Sequence, residues 1–227
     1  MPGKLQKFEE YKSFPNAFSF HFGEIPSGFS LKGKWLKDVF KNTNPIVLEL
    51  GCGRGEYSVG LAEKNPDKNY IGVDIKSNRI WTGAKYAIDN NLNNAAFLRT
   101  RIDFINHCFD KNEVDEIWVT FPDPQPQKPR ERKRLTNQRF LSLYSKMLKP
   151  DGIIHLKTDS TSLYEYTLEV ISENKHQLIW ETSDLYKNCP DDRQELIQIK
   201  TYYEKLFTDK GENIKYVCFK LNQDLFS

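Results

Sequence analysis

The sequence holds no uninterrupted apolar run approaching the roughly 18 residues of a membrane-spanning helix. Residues Met1 to Tyr11 lack both an apolar stretch and an Arg-rich amphipathic pattern, so neither an export nor a transit signal is expected. Only four cysteines occur among 227 residues: Cys52, Cys108, Cys189 and Cys218. Their wide spacing excludes a disulfide framework and a Cys-x-x-Cys zinc site, so no metal is expected, and the plain expectation is reduced thiols in the cytoplasm. The four histidines, His21, His107, His155 and His176, are scattered, and none stands in a pattern that marks a general base. Charge of one sign is scarce too. The 33 Lys and Arg against 31 Asp and Glu leave a net charge of +2, which excludes a uniformly basic polyanion binder. Contact with nucleic acid must then come from local clustering. Internal repeats and low-complexity tracts are also missing.

The chain does contain aromatic bulk, with 15 Phe, 11 Tyr and 4 Trp, enough for one real core. Its length suits one domain with appendages. Five short apolar runs read as buried strands: 46–50 (IVLEL), 69–74 (NYIGVD), 95–99 (AAFLR), 116–121 (EIWVTF) and 152–157 (GIIHLK). Helical spacing fills the gaps at 56–64, 77–90 (with Ser77 as N-cap), 103–109 and 138–148. After the fifth run, Ser162 and Glu165 match a capping box. Runs at 177–182 and 213–221 suit an antiparallel pair near the end. This alternation predicts an α/β fold, a Rossmann-like doubly wound, mainly parallel seven-stranded sheet with an antiparallel C-terminal strand and helices on both faces. The expected organisation is an N-terminal extension over 1–30, which carries no clear periodicity, and a single domain over 31–227.

The chemistry gathers at strand ends. Glu49-Leu50-Gly51-Cys52-Gly53-Arg54-Gly55-Glu56 follows the first strand and opens a helix, so the backbone there turns sharply and lets a ligand approach. A dinucleotide fingerprint wants glycine at position 56. The carboxylate of Glu56 would instead repel a pyrophosphate, which favours a nucleoside without one. Asp74 closes the second strand, where a carboxylate can accept both hydroxyls of a ribose. Glu49 would lie near the ligand's cationic end. Glycine loop and second-strand acid resemble the class I S-adenosylmethionine-dependent methyltransferases.

After the fourth strand, Phe121-Pro122-Asp123-Pro124 fixes one carboxylate at the ligand-binding edge, because the prolines stop both strand and helix. Lys128 to Arg139 then carries Lys128, Arg130, Arg132, Lys133, Arg134 and Arg139 against the single acid Glu131, a pattern suited to phosphate backbone. A third edge acid, Asp159, ends the fifth strand. Thr201-Tyr202-Tyr203-Glu204 alone would be an ordinary helix start.

In this order, ELGCGRGE, FPDP, KRLT (133–136), LKPDG (148–152), HLKTD (155–159) and TYYE (201–204) resemble the bacterial tRNA (guanine-N7-)-methyltransferases over about residues 45–221. The resemblance implies methyl transfer from S-adenosyl-L-methionine to N7 of a tRNA guanine, the variable-loop guanine at position 46. Its implied donor contacts are Glu49, Gly51, Gly53, Asp74, the third-strand neighbourhood of Arg101 and Asp103, and Asp123. Its implied substrate contacts are Asp159, Thr201, Tyr202, Tyr203 and Glu204. Asp123 and Asp159 are the candidates closest to the chemistry.

The sequence departs from the family at two places. Gln125 and Gln127 stand where the family carries Trp and a basic residue, leaving Lys128 as the nearest base. Arg101 stands where an acid or amide is usual, so the adenine contact would fall to backbone or Asp103. Arg130, Arg132, Lys133 and Arg134 are the expected RNA-backbone contacts. The expected partner is tRNA, with the protein a monomer or homodimer. Two rivals stay open: a methyltransferase for a small molecule or protein, and a non-catalytic RNA-binding protein on the same fold.

Overall fold

A computed structural model describes residues 2–25 and 27–226; Met1, Pro26 and Ser227 lie outside the described residues. Eight strands form one sheet: β1 (Ala17–Ser19), β2 (Ile46–Leu50), β3 (Asn69–Asp74), β4 (Ala95–Arg99), β5 (Val114–Thr120), β6 (Leu148–Thr158), β7 (Gln177–Thr182) and β8 (Lys215–Lys220). Their spatial order is β1-β4-β3-β2-β5-β6-β8-β7. Every pairing from β1 to β6 is parallel, and β8 lies antiparallel between β6 and β7. The doubly wound, mainly parallel architecture expected from the sequence is present, with eight strands in place of seven. The extra strand is β1, only three residues long, too short to show alternation in sequence.

The strands read as near-continuous apolar runs because helices cover both faces. All of Ile46–Leu50 is buried, as are the first five residues of Asn69–Asp74. On one face, α2 (Glu56–Lys64) and α3 (Ser77–Asp89) bring Tyr57, Leu61, Ile80 and Ala84 into a core completed by Leu185 of α6 (Leu185–Asn188), Leu196 of α7 (Glu195–Gln198) and Ile199. On the other, Trp35, Ile105, Phe109, Phe140, Tyr144 and Leu163 pack, the last three from α4 (Gln138–Tyr144) and α5 (Thr161–Glu173). The N-terminal helix α1 (Lys4–Ser13) joins the first of these layers. There the buried Tyr11 donates its hydroxyl proton to the carbonyls of Phe18 and Phe97, at 2.9 and 3.1 Å.

Several boundaries differ from expectation. Ser77 is the first helical residue of α3, and the N-cap position is Lys76. Ser160, not the Ser162–Glu165 pair, caps α5, its hydroxyl accepting from Leu163 N–H at 3.2 Å. The stretch at 103–109 is a 3₁₀ segment over Ile102–His107. α4 stops at Tyr144 because Leu148 already pairs with Val114 at the start of β6, across a bulge. These are local competitions at element ends, and the strand order is unaffected. From β2 the chain passes through α2 to β3 on one side, while β5 flanks β2 on the other. Such a switch point opens a crevice beyond the carboxyl ends of the strands.

Candidate active site

That crevice is a cavity of about 680 Å³ lined by the glycine loop, the Phe121–Gln125 loop, Asp159 and the Thr201–Tyr203 segment. Glu49, on β2, is buried at its inner wall. Ser58 donates to its Oε2 from both backbone N–H and hydroxyl, and the Thr120 hydroxyl donates to Oε1. Burial nonetheless pushes its carboxyl up to about 7, against these hydrogen bonds, with Glu56 adding to the rise. Among the described residues, no cationic side chain forms an ion pair with it. Gly53 sits at φ +57°, and no atom lies within 4 Å of where its Cβ would stand, so the loop leaves room for a ligand against bare backbone. Asp74, at the end of β3, accepts from Gly53 N–H at 3.0 Å and from Lys76 N–H at 2.8 Å. The next residue, Ile75, is 51% exposed, an apolar face beside that acid.

The acidic loop is built on strain. Phe121 and Gln125 adopt φ of 47° and 46°, the left-handed region that side chains with a Cβ rarely visit. Asp123 Oδ1 accepts from Gln125 N–H at 3.1 Å, closing a tight turn that holds the carboxylate exposed at the rim. Arg134 braces the loop from behind. It is 7% exposed, its Nε–H donates to the carbonyls of Pro124 and Gln125, and its guanidinium lies 4.3 Å over the Tyr166 ring. Expected on the RNA-facing surface, Arg134 is instead buried, its guanidinium engaged by the two loop carbonyls and the Tyr166 ring.

Across the cavity, Asp159 is partly buried, and burial raises its carboxyl pKa. Thr201 caps α8 (Tyr202–Thr208), accepting from Glu204 N–H at 3.1 Å, and Tyr202 N–H donates to Glu56 Oε2 at 2.7 Å. Tyr202 and Tyr203 are exposed at the mouth. Phe121 stacks on Phe207, and Phe207 on Tyr203, with centroids 6.2 and 6.5 Å apart, an aromatic shelf along one wall. Glu204, expected to face substrate, is fully buried and pairs with Lys157 at 2.7 Å, while the Tyr186 hydroxyl donates to it at 2.8 Å. The cavity thus gathers Glu49, Gly51, Gly53, Asp123, Lys133, Asp159, Thr201, Tyr202 and Tyr203.

Other expected residues lie elsewhere. Arg101 and Asp103 line a second cavity with Arg132, Lys133, Arg139 and Phe140, and Lys133 borders both. Lys128 and Arg130 are exposed on the 3₁₀ turn Lys128–Lys133 and line neither. Sequence reasoning missed Ser58 and Thr120, which hold Glu49. It also missed Arg79, Phe207 and the Lys157 partner of Glu204. Lys157 was visible in HLKTD as a cation inside a buried strand, a pattern that demands a buried acid.

The residues present fit S-adenosyl-L-methionine. A buried carboxyl with no cationic partner among the described residues, backbone left bare at Gly53, and a strand-end acid next to an exposed isoleucine match a sulfonium that carries an amino acid tail and a ribose bearing a purine. A methyltransferase family model matches residues 43–217. A tRNA (guanine-N(7)-)-methyltransferase of Christiangramia forsetii is 48% identical over 96% of this chain and 97% of its own. The enzyme of the same name from Bacteroides thetaiotaomicron is 49% identical over 97% of this chain and 86% of its own. In fold, the chain is similar to a 16S rRNA (adenine(1408)-N(1))-methyltransferase from Catenulisporales acidiphilia solved with its cosubstrate SAM. That likeness has a TM-score of 0.56 at 14% identity, over 84% of this chain and 91% of that one. Similarity of this extent to curated enzymes, on top of the geometry, places the chain in the tRNA (guanine-N(7)-)-methyltransferase family.

Proposed function

We propose that the protein transfers a methyl group from S-adenosyl-L-methionine to N7 of a tRNA guanine, the variable-loop guanine at position 46. The observation that carries this reading is a single cavity with the glycine loop and buried Glu49 at one end and Asp159 with Thr201–Tyr203 at the other. Asp123 lies on the rim between them. The donor supplies an electrophilic methyl on a sulfonium. Guanine N7 has a free lone pair and carries no proton, so the attack needs no general base.

The protein's work is positioning and charge. Glu49 takes the donor's cationic end, Asp74 its ribose, and Ile75 one face of its adenine. The Phe121–Phe207–Tyr203 shelf supports the guanine ring by stacking. Asp159 and Asp123 accept from guanine N1–H and the 2-amino group, which adenine does not offer in that pattern. They also face the positive charge that develops on the ring. Alignment of N7 with the methyl supplies the rest of the barrier reduction. We read residues 31–227 as one methyltransferase domain, with 1–30 an N-terminal extension that contributes β1 to its sheet, acting in the cytoplasm.

The test is to incubate the protein with unmodified tRNA and labelled donor and map the methylated base. The reading predicts label on N7 of the variable-loop guanine. Asp159→Ala is expected to lower kcat by about 10²–10³ while donor affinity holds. Label on another base, or a wild-type rate for Asp159→Ala, contradicts it.

A further inference from the structure

The second cavity, about 560 Å³, is lined by Arg101, Asp103, Arg132, Lys133, Arg139 and Phe140. Four cationic side chains there face one carboxylate. Asp103 is engaged by both neighbouring arginines: Arg139 donates to Oδ1, and Arg101 donates to Oδ2 at 3.3 Å. Each guanidinium also lies over an aromatic face, Arg101 at 5.7 Å from the Phe104 ring and Arg139 at 4.9 Å from Phe140. The two forks are therefore held in place, yet their side chains remain 59% and 49% exposed, with N–H groups turned to solvent. Pre-oriented arginine forks beside lysine are the arrangement that binds phosphate oxygens in pairs. Neither cation can accept from an adenine amino group, and Asp103 already accepts from an arginine on each oxygen. This cavity is thus a poor seat for the donor's purine, the role expected from the sequence.

Lys133 lines this cavity and the first one. A nucleotide with its base in the first cavity would run its backbone past Lys133 into the second. We propose that the Arg101–Arg132–Lys133–Arg139 cavity seats a phosphodiester of the tRNA strand next to the target guanine. The proposal deepens the tRNA-methylating reading and rests on it. It moves Arg101 from the donor site to the RNA site and sets it beside Arg139 of the basic run.

The test compares wild type with Arg101→Ala, Arg139→Ala and Arg132→Ala, by tRNA binding across a range of KCl and by steady-state methylation. Each change is expected to weaken tRNA binding and to flatten the plot of log affinity against log salt by about 0.7–0.9. KM for tRNA is expected to rise, with kcat and affinity for S-adenosyl-L-homocysteine within about twofold of wild type. Arg132, exposed on its turn, keeps the test open if either Asp103-bound arginine proves necessary for folding. An unchanged salt slope and tRNA affinity, in an enzyme whose wild type methylates tRNA, overturns this proposal and leaves the proposed function standing. Loss of S-adenosyl-L-homocysteine affinity in Arg101→Ala also overturns it, because Arg101 would then belong to the donor site. A wild-type protein that neither binds nor methylates tRNA overturns both.

Discussion

Glu49 is a carboxylate placed where water cannot stabilise it, and its hydrogen bonds from Ser58 and Thr120 do not fully compensate. Its folded-state pKa, about 7, lies above the 4.5 of an ordinary Glu. Its contribution to stability is therefore fully present below about 4.5 and is lost as pH rises through about 7. The donor's cation favours the ionised form. Ionisation rises from about 10% at pH 6 to about 90% at pH 8 with such a pKa, so donor affinity is expected to climb up to about ninefold over that range. Calorimetric titration with S-adenosyl-L-homocysteine, which keeps the amino group, reads this directly. Glu49→Gln is expected to bind weakly at both pH values and to show no slope.

Arg134 belongs to the same scale. Its partners are the carbonyls of the strained loop, so Arg134→Ala is expected to lower kcat at least tenfold by releasing Asp123. The salt slope of tRNA binding should stay as in wild type, unlike the slope in Arg132→Ala. Equal changes in salt slope for the two variants would put Arg134 back on the RNA surface.

The elements that carry the site differ in how openly the sequence declares them. The β2 glycine loop and α2 begin where the sequence reading put them, because glycine density and an apolar run are local signals. Glu204 was legible only as part of a helix start. Its burial is a tertiary fact, fixed by Lys157 on β6 and Tyr186 on α6 (Leu185–Asn188). Burial pushes the Lys157 amine down, and Glu204 opposes that fall, so the two hold α8 to the end of β6 as one unit.

Removing one partner strands the other charge in the core. Glu204→Ala is expected to cost about 3–5 kcal/mol in urea unfolding, and Lys157→Met with Glu204→Leu to cost clearly less. Equal losses in the single and double variants would show that the pair does not anchor α8. The placement of Arg101 and Asp103 in the second cavity was hidden for a related reason. Their segment forms a 3₁₀ turn that faces α4 and the basic run, and no sequence spacing carries that orientation.

At the scale of the whole molecule, the strands beyond β1 and their mainly parallel arrangement were readable from short apolar runs alternating with helical segments. The N-terminal residues were not, because β1 is short and α1 is mostly polar. Yet they cover real core: Tyr11 and Phe20 are 2% and 1% exposed, and Tyr11 ties β1 to β4 through the Phe18 and Phe97 carbonyls. Deleting residues 1–20 would uncover Phe97 and Trp81 as well. The shortened protein is expected to lose at least about 3 kcal/mol, and to melt well below the full chain in a thermal scan. An unchanged midpoint would make the segment a mere appendage.

The crevice proposed for donor and guanine and the cavity proposed for the RNA backbone are joined at Lys133. A crystal structure with S-adenosyl-L-homocysteine bound tests that arrangement most directly. The sulfur is expected between the Gly51–Gly53 loop and Asp123, with the ribose on Asp74 and the amino acid tail at Glu49. The cofactor product seated instead against Arg101, Asp103 and Arg139 would contradict it.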